Sequence, residues 1–208
     1  MLAYKFRSSS QIAFALDIVF KQRLHRSDWS TLNDPNEGTF LYSAFSPEQA
    51  AHSLRLRQIT DGKKAYRVCS LSKRYERRLL WAHYASGFDG LAVEVDLPIP
   101  WHDRKIHEVI YDPLFPTVDL QSSVLPLDEA LSILTRKHKE WEYEDEVRII
   151  QQKEWYELRN PVKCIIVGHR FNEALFKALR IVCEQQEPII ILKRTRVEDA
   201  GVVAVDIL

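Results

Sequence analysis

The chain has 208 residues, 46% hydrophobic and 28% charged, proportions that allow a buried core and exclude a disordered or fibrous chain. Lysine plus arginine and aspartate plus glutamate both number 29, so no global field exists to hold a polyanion, and any such contact has to be local. No stretch approaches the roughly 18 apolar residues of a membrane span, and Met1 to Arg7 carries no leader-like apolar run, so a cytoplasmic protein without a membrane partner is expected.

Residues 1–208 show no repeat or internal boundary and are read as a single domain. Leu2 to Phe6 suits a first strand. Ser8, Ser9 and Ser10 then offer caps for a helix with Ile12, Ala15, Leu16, Val19 and Phe20 on one face. Leu32 to Gly38 is dense in turn residues, and its Pro35 restricts the backbone before it, so a loop of fixed shape is expected there. Pro47 to Leu56 fits a second helix with Pro in its first turn. Tyr66 to Leu71 reads as a strand, Arg77 to Tyr84 as a short helix, and Gly90 to Leu97 and Ile106 to Tyr111 as strands. Leu127 to Lys139 looks helical, and Glu144 to Gln151 and Val162 to Val167 look extended. Asn172 to Glu184 is an amphipathic helix beginning at an Asn cap. Ile189 to Arg194 and Gly201 to Ile207 close the chain as strands. Strands outnumber helices without alternating one for one, which predicts an α+β fold with a mixed or antiparallel sheet flanked by helices.

Cys69, Cys164 and Cys183 are odd in number, lie in apolar stretches and lack metal-ligand spacing. They read as reduced core thiols, and no metal is expected. His102, Asp103 and His107 follow no ligand pattern, Glu94 and Asp96 lack the lysine of a metal-dependent nuclease, and no Gly-x-Ser-x-Gly elbow surrounds Ser70 or Ser72.

The densest cluster of reactive side chains is Trp141-Glu142-Tyr143-Glu144-Asp145-Glu146-Val147-Arg148. On a strand from Glu144, the period of two places Glu144, Glu146 and Arg148 on one face, with Trp141 and Tyr143 as stacking walls. The bland alternative is a solvated strand face carrying a surface ion pair. Ser70 and Ser72 lie at i and i+2 at the end of a strand, and Trp81, His83 and Tyr84 on the following helix can wall a pocket or simply fill a core. Lys73, Arg74, Arg77 and Arg78, and Arg136 to Lys139, are read as solvated helix faces rather than phosphate contacts.

Taken in order, these residues resemble an uncharacterised, largely prokaryotic family designated domain of unknown function twenty-nine seventy-one. The likeness runs through Tyr4-Lys5-Phe6, Leu32-Asn33-Asp34-Pro35 with Glu37, Cys69-Ser70-Leu71-Ser72, Trp81-x-His83-Tyr84-Ala85, Gly90, and Lys139-x-Trp141-x-Tyr143-Glu144-x-Glu146-x-Arg148. The succession of an aromatic and basic first strand, a Ser-x-Ser strand and a late Glu-x-Glu strand is also similar to the three-part signature of ADP-ribosyltransferases. That resemblance is a fold-level analogy. It implies a split sheet and a site that binds NAD or a related nucleotide and transfers ADP-ribose to a protein or nucleic-acid acceptor. Glu146 would then be catalytic and Glu144 would orient or deprotonate the acceptor. Lys5, Arg7, Ser70, Ser72, Tyr84 and Tyr143 would contact the cofactor, and Asn33, Glu37, Trp81, His83 and Arg148 the substrate. The first strand departs from the signature in having no His and in placing Arg7 at its end. Two alternatives stand beside this reading: a non-catalytic nucleotide-sensing or protein-interaction module, and a nucleic-acid-acting protein.

Overall fold

The computed structural model describes residues 1–43, 46 and 53–206, apart from the side chain of Trp101. In chain order these form β1 (Leu2–Ser8), α1 (Ile12–Lys21), β2 (Arg23–His25), β3 (Ser27–Asp28), β4 (Leu41–Ser43), α2 (Leu54–Ala65), β5 (Arg67–Ser72), α3 (Arg78–Tyr84) and β6 (Gly90–Asp96). There follow β7 (Ile106–Glu108), β8 (Ile110–Asp112), β9 (Thr117–Asp119), α4 (Pro126–Leu134), β10 (Arg136–His138) and β11 (Glu146–Gln151). The remainder is β12 (Trp155–Glu157), β13 (Cys164–Val167), α5 (Glu173–Glu184), β14 (Ile191–Glu198) and β15 (Gly201–Asp206).

Nine of these strands make one sheet in the order β15-β14-β13-β6-β1-β5-β11-β7, with β3 joined to β5 off this path. The pair β13 and β14, bridged by α5, is parallel and the other neighbours are antiparallel, so the sheet is mixed as expected. Alternation sorts its side chains. Ala3, Leu71, Val93, Val147 and Ile165 face one layer, where α1 contributes Ala15, Ile18 and Val19 and α5 contributes Phe176, Leu179 and Cys183. Tyr4, Phe6, Ala92 and Ile166 face the other, against Leu80, Trp81 and Ala85 of α3 and its C-cap. Further along that face Val68 and Ile150 meet Leu134 of α4, and α4 packs on α2 through Ile133 and Ile59. Among the short pairings outside the main sheet, β10 runs parallel to β8.

Local chemistry accounts for the best-placed elements. Asn172 caps α5 by accepting from the Ala174 and Leu175 amides at 2.9 and 3.1 Å, and the helix buries positions four, seven and eleven on one stripe. All three cysteines are buried and free.

Several expectations need correction. The helix expected from Pro47 to Leu56 lies mostly outside the described residues, since 47–52 are not among them; among those described, a helix capped by Ser53, which accepts the Leu56 amide, runs from Leu54 to Ala65, further than expected at its end. On α1, Ile18 is buried while Phe20 is 54% exposed and Leu16 is only partly covered, so the stripe is rotated from the expected one. The serines before it do not cap it: Ser8 and Ser10 bond each other, and Ser9 donates to Asp89. The run from Ile106 to Tyr111 divides at Val109, whose amide donates to Glu146 O at 3.1 Å, so β7 joins the main sheet and β8 leaves it. The expected helix through Lys139 stops at Leu134, where the Arg148 guanidinium takes the Leu134 carbonyl at 2.7 Å, and the chain continues as β10. Finally, Glu144 is not on a strand: residues Lys139–Glu144 form a 3-10 turn, Asp145 adopts φ +43°, and β11 starts at Glu146.

Leu179 is 2% exposed within the layer shared by α1, α5 and the sheet. Leu179→Ala should destabilise the fold by about 2 to 5 kcal/mol, and chemical denaturation of the full chain should show one transition; two transitions would contradict the single-domain reading.

Candidate functional site

β1 is paired with β6 along its whole length, and β5 with β11 likewise, yet β1 and β5 meet only at Tyr4 opposite Ser72. Beyond that point the sheet opens. The opening holds a cavity of about 390 Å³ whose wall includes Lys5 and Arg7 of β1, Ser70 and Ser72 of β5, Tyr84 of α3 and Asn33. Lys5 bridges the gap, its Nζ donating to Ser70 O at 2.7 Å in place of the missing strand partner. Burial lowers the pKa of the Lys5 ammonium; Arg7 adds to the shift, while Cys69 and Glu146 oppose it.

On the β11 side, Arg148 is fully buried and its guanidinium forks between two carboxylates. Its Nη1 and Nη2 donate to Glu37 Oε1 and Oε2 at 2.6 and 2.7 Å. Its Nε and Nη2 donate to Glu146 Oε1 and Oε2 at 2.8 and 3.1 Å. The bond to Leu134 O completes the set, so each of the five N–H donors of the guanidinium has an acceptor. Burial alone would lower the Arg148 pKa, but Glu146 and Glu37 reverse that and raise it.

Lys137, which is 9% exposed, joins the two acids of the Glu-x-Glu pair. Its Nζ donates to Glu144 Oε2 at 2.6 Å and Glu146 Oε2 at 3.4 Å, and stands 4.6 Å from the centroid of the Trp141 ring. The other Glu144 oxygen accepts from the Tyr84 hydroxyl at 2.5 Å, and Asn33 Nδ2 donates to that hydroxyl at 3.4 Å. The two carboxylates are thereby driven apart electrostatically. Burial raises Glu144, helped by the Glu146 charge and only partly offset by Lys137 and Tyr84. Burial also acts to raise Glu146, but Arg148 and Lys137 outweigh it and bring its pKa to about 2. Glu146 is held ionised and Glu144 is made the more basic of the two carboxylates, a division of labour that acid–base chemistry can use.

The loop bearing Asn33 and Glu37 lies beside this cluster and is tied down. Asp34 accepts from the Asn36 amide at 2.9 Å, and Glu37 N donates to Asp34 O at 3.0 Å. Lys63, enclosed by the Trp29 and Phe40 rings at 4.7 Å each, donates to Gly38 O at 2.7 Å. Gly38 has φ +67°, and a Cβ there would meet the Trp29 ring at 2.8 Å, so the turn needs glycine.

The cavity therefore gathers Lys5, Arg7, Asn33, Glu37, Ser70, Ser72, Tyr84, Glu144, Glu146 and Arg148 out of the residues singled out in the sequence. Three others do not belong to its wall. Trp81 is fully buried, donates to Tyr75 O at 2.7 Å, meets Phe6 edge-on at 5.2 Å and stacks on Phe88 at 5.6 Å; its ring and its N–H are used by the core. His83 is exposed and Tyr143 half-buried, their rings 6.1 Å apart outside the opening. Ser72 lines the cavity, but its hydroxyl is committed, donating to Glu144 O at 2.5 Å and accepting from Arg74 N at 3.0 Å. Lys137 is the member that sequence reasoning missed. The basic run Arg136 to Lys139 looked like a solvated helix face, and only the strand conformation of β10 turns Lys137 inward. Phe14, Gln11 and His25 also line the cavity without having been singled out.

The remaining candidates are accounted for by local partners. Lys73 and Arg74 pair with Asp145 at 3.0 and 3.1 Å, and Arg78 donates to Glu198 O, so these three members of that basic run are engaged within the fold, while Arg77 is exposed. Asp103 accepts from the Tyr156 hydroxyl and from Arg159, and among the described residues no three His, Cys, Asp or Glu side chains are grouped to hold a metal. Among them, too, no helix is long and apolar enough to cross a membrane.

Because Glu146 titrates lower in the folded chain than when unfolded, its contribution is complete above the ordinary carboxylate value of 4.5 and is lost as pH falls toward 2. Denaturant titrations should show stability falling by about 3 kcal/mol over that interval from this group. The Glu146→Gln variant should lack that part of the fall; an unchanged profile would refute the assignment. No protein-family model, no curated protein and no solved structure matches the chain.

Proposed function

We propose that the protein is an ADP-ribosyltransferase-like domain that binds NAD or a related nucleotide in the opening between β1 and β5 and transfers ADP-ribose to a macromolecular acceptor. One observation carries the reading. A signature divided among three segments works as one site only if they meet, and the segments that resemble it lie on three consecutive strands, β1, β5 and β11, with Lys5, Ser70 and Glu146 around one cavity.

Breaking the bond between the nicotinamide nitrogen and the ribose sends the electron pair to nicotinamide and develops positive charge on the sugar. Glu146, held ionised by Arg148 and Lys137, supplies the opposing charge in a site sheltered from water. Glu144, with its pKa raised, accepts the proton of the attacking acceptor group. Tyr84 orients Glu144, and Lys5 and Arg7 stand where the phosphates of the ligand pass. Three buried free thiols fit a cytoplasmic setting.

A second reading has its own support: both Glu146 oxygens are already engaged by cations, which suits a nucleotide-sensing or protein-interaction module that binds without turnover. Incubation with NAD separates the two. An enzyme releases nicotinamide or labels an acceptor, whereas a sensor shows only a rise in melting temperature. In the enzyme, Glu146→Gln should lower turnover by about 100-fold or more. It should also destabilise the fold by about 3 kcal/mol, since one member of a buried ion network is removed. Undiminished nicotinamide release by that variant would defeat the assignment.

A further inference from the structure

The cavity has a second end that the paired carboxylates do not reach. Tyr4, Ser72 and Glu146 lie directly opposite one another across β1, β5 and β11, so that level of the sheet marks the carboxylate end. Arg7 stands three residues beyond Tyr4 along β1, roughly 10 Å at the rise of an extended strand, on the face shared with Ala3 and α1 rather than the face of Tyr4 and Glu146, and it lines the same cavity, which reaches both faces where β1 and β5 part.

The chemistry changes there. Arg7 Nε is buried without a protein acceptor, as are four other side-chain nitrogens among the described residues, and of these five residues Arg7 alone has its guanidinium beside the exposed Phe14 ring in the cavity wall. Such a donor is costly to leave unpaired in a fold unless a ligand completes it. Its guanidinium lies 5.7 Å from the centroid of the Phe14 ring. Phe14, in the first turn of α1, is 58% exposed while lining the cavity, although the buried stripe of that helix is Ala15, Ile18 and Val19. A large ring kept half in water at a cavity mouth offers a flat apolar face to whatever enters. Gln11 precedes it at the start of α1, lines the cavity and makes no capping bond.

We propose that Arg7, Phe14 and Gln11 form a base-and-phosphate subsite: the nucleotide lies along β1 with its purine or pyrimidine ring on Phe14, a phosphate on Arg7, and a ring edge hydrogen-bonded by Gln11. This rests on the nucleotide reading above and adds to it the direction of the ligand, with the reacting end toward Glu144 and Glu146.

Titration calorimetry of the full chain with AMP, adenosine and inorganic pyrophosphate tests the subsite. AMP should bind about tenfold or more tighter than adenosine, because a charge-assisted bond to Arg7 is added. Arg7→Met should remove that advantage and Arg7→Lys restore part of it, with thermal melts checking that each variant folds. Phe14→Ala should weaken AMP and adenosine alike by about tenfold, the scale of one lost base stack, while Phe14→Tyr stays close to the parent. Pyrophosphate should displace AMP from the parent protein. If NAD or AMP binds and neither Arg7→Met nor Phe14→Ala alters its affinity, the subsite is wrong and the nucleotide reading survives. If pyrophosphate binds through Arg7 but NAD, AMP and adenosine do not bind, the nucleotide reading falls, and the base half of the subsite falls with it. Failure of all the probes to bind overturns both.

Discussion

The Arg148 guanidinium organises this molecule. It is fully buried, and its five donors are shared between the 33–38 loop, the last turn of α4 and its own strand. Removing a charge of this kind from water is expensive, and the expense is met only when every donor finds an acceptor. That requirement explains three features at once. It stops α4 at Leu134, it draws Glu37 in from a distant loop, and it keeps Glu146 ionised within the protein. A surface ion pair between Glu146 and Arg148 would have constrained none of these.

The second constraint is the parting of β1 from β5. A strand that stops pairing leaves backbone groups facing a gap, and these must be satisfied by side chains, water or a ligand. Lys5 supplies one such substitute by capping Ser70 O. The rest of the gap stays open as the cavity, with ionic groups concentrated at one end and the Arg7 guanidinium beside an exposed ring at the other. The cavity comes from an interruption in a regular ladder, not from a loop laid over a finished sheet.

Patterns of local origin were legible in the sequence. The extended runs that became β6 and β11, the Asn172 cap of α5 and the turn at Asn33 to Gly38 all reflect chemistry within a few residues, although both strands are buried on both faces rather than alternating. So did the clustering of Glu146 with Arg148. What escaped was long-range or context-dependent. Glu37 and Arg148 are 111 residues apart, and nothing in either neighbourhood announces the bond. The stretch from Leu127 to Lys139 has a helical start that carries the eye through Lys137, whereas the capture of the Leu134 carbonyl ends the helix and β8 turns the remainder into a strand. Trp81 and His83 read as pocket walls because aromatic spacing does not distinguish a core face from an exposed one; Trp81 fills a core and His83 faces solvent.

Asp145 adds a last point. It sits between the two acids with a left-handed backbone, its carboxylate paired to Lys73 and Arg74 and its carbonyl accepting from the Lys73 amide. On an unbroken strand, Glu144 and Glu146 would stand parallel at a fixed pleat spacing. Here the chain reverses its hand between them, so they approach Lys137 from different directions. The mutual aim of the two acids is therefore a property of one dihedral angle, anchored to the segment that follows β5, and the same three letters written into a regular strand elsewhere would not reproduce it.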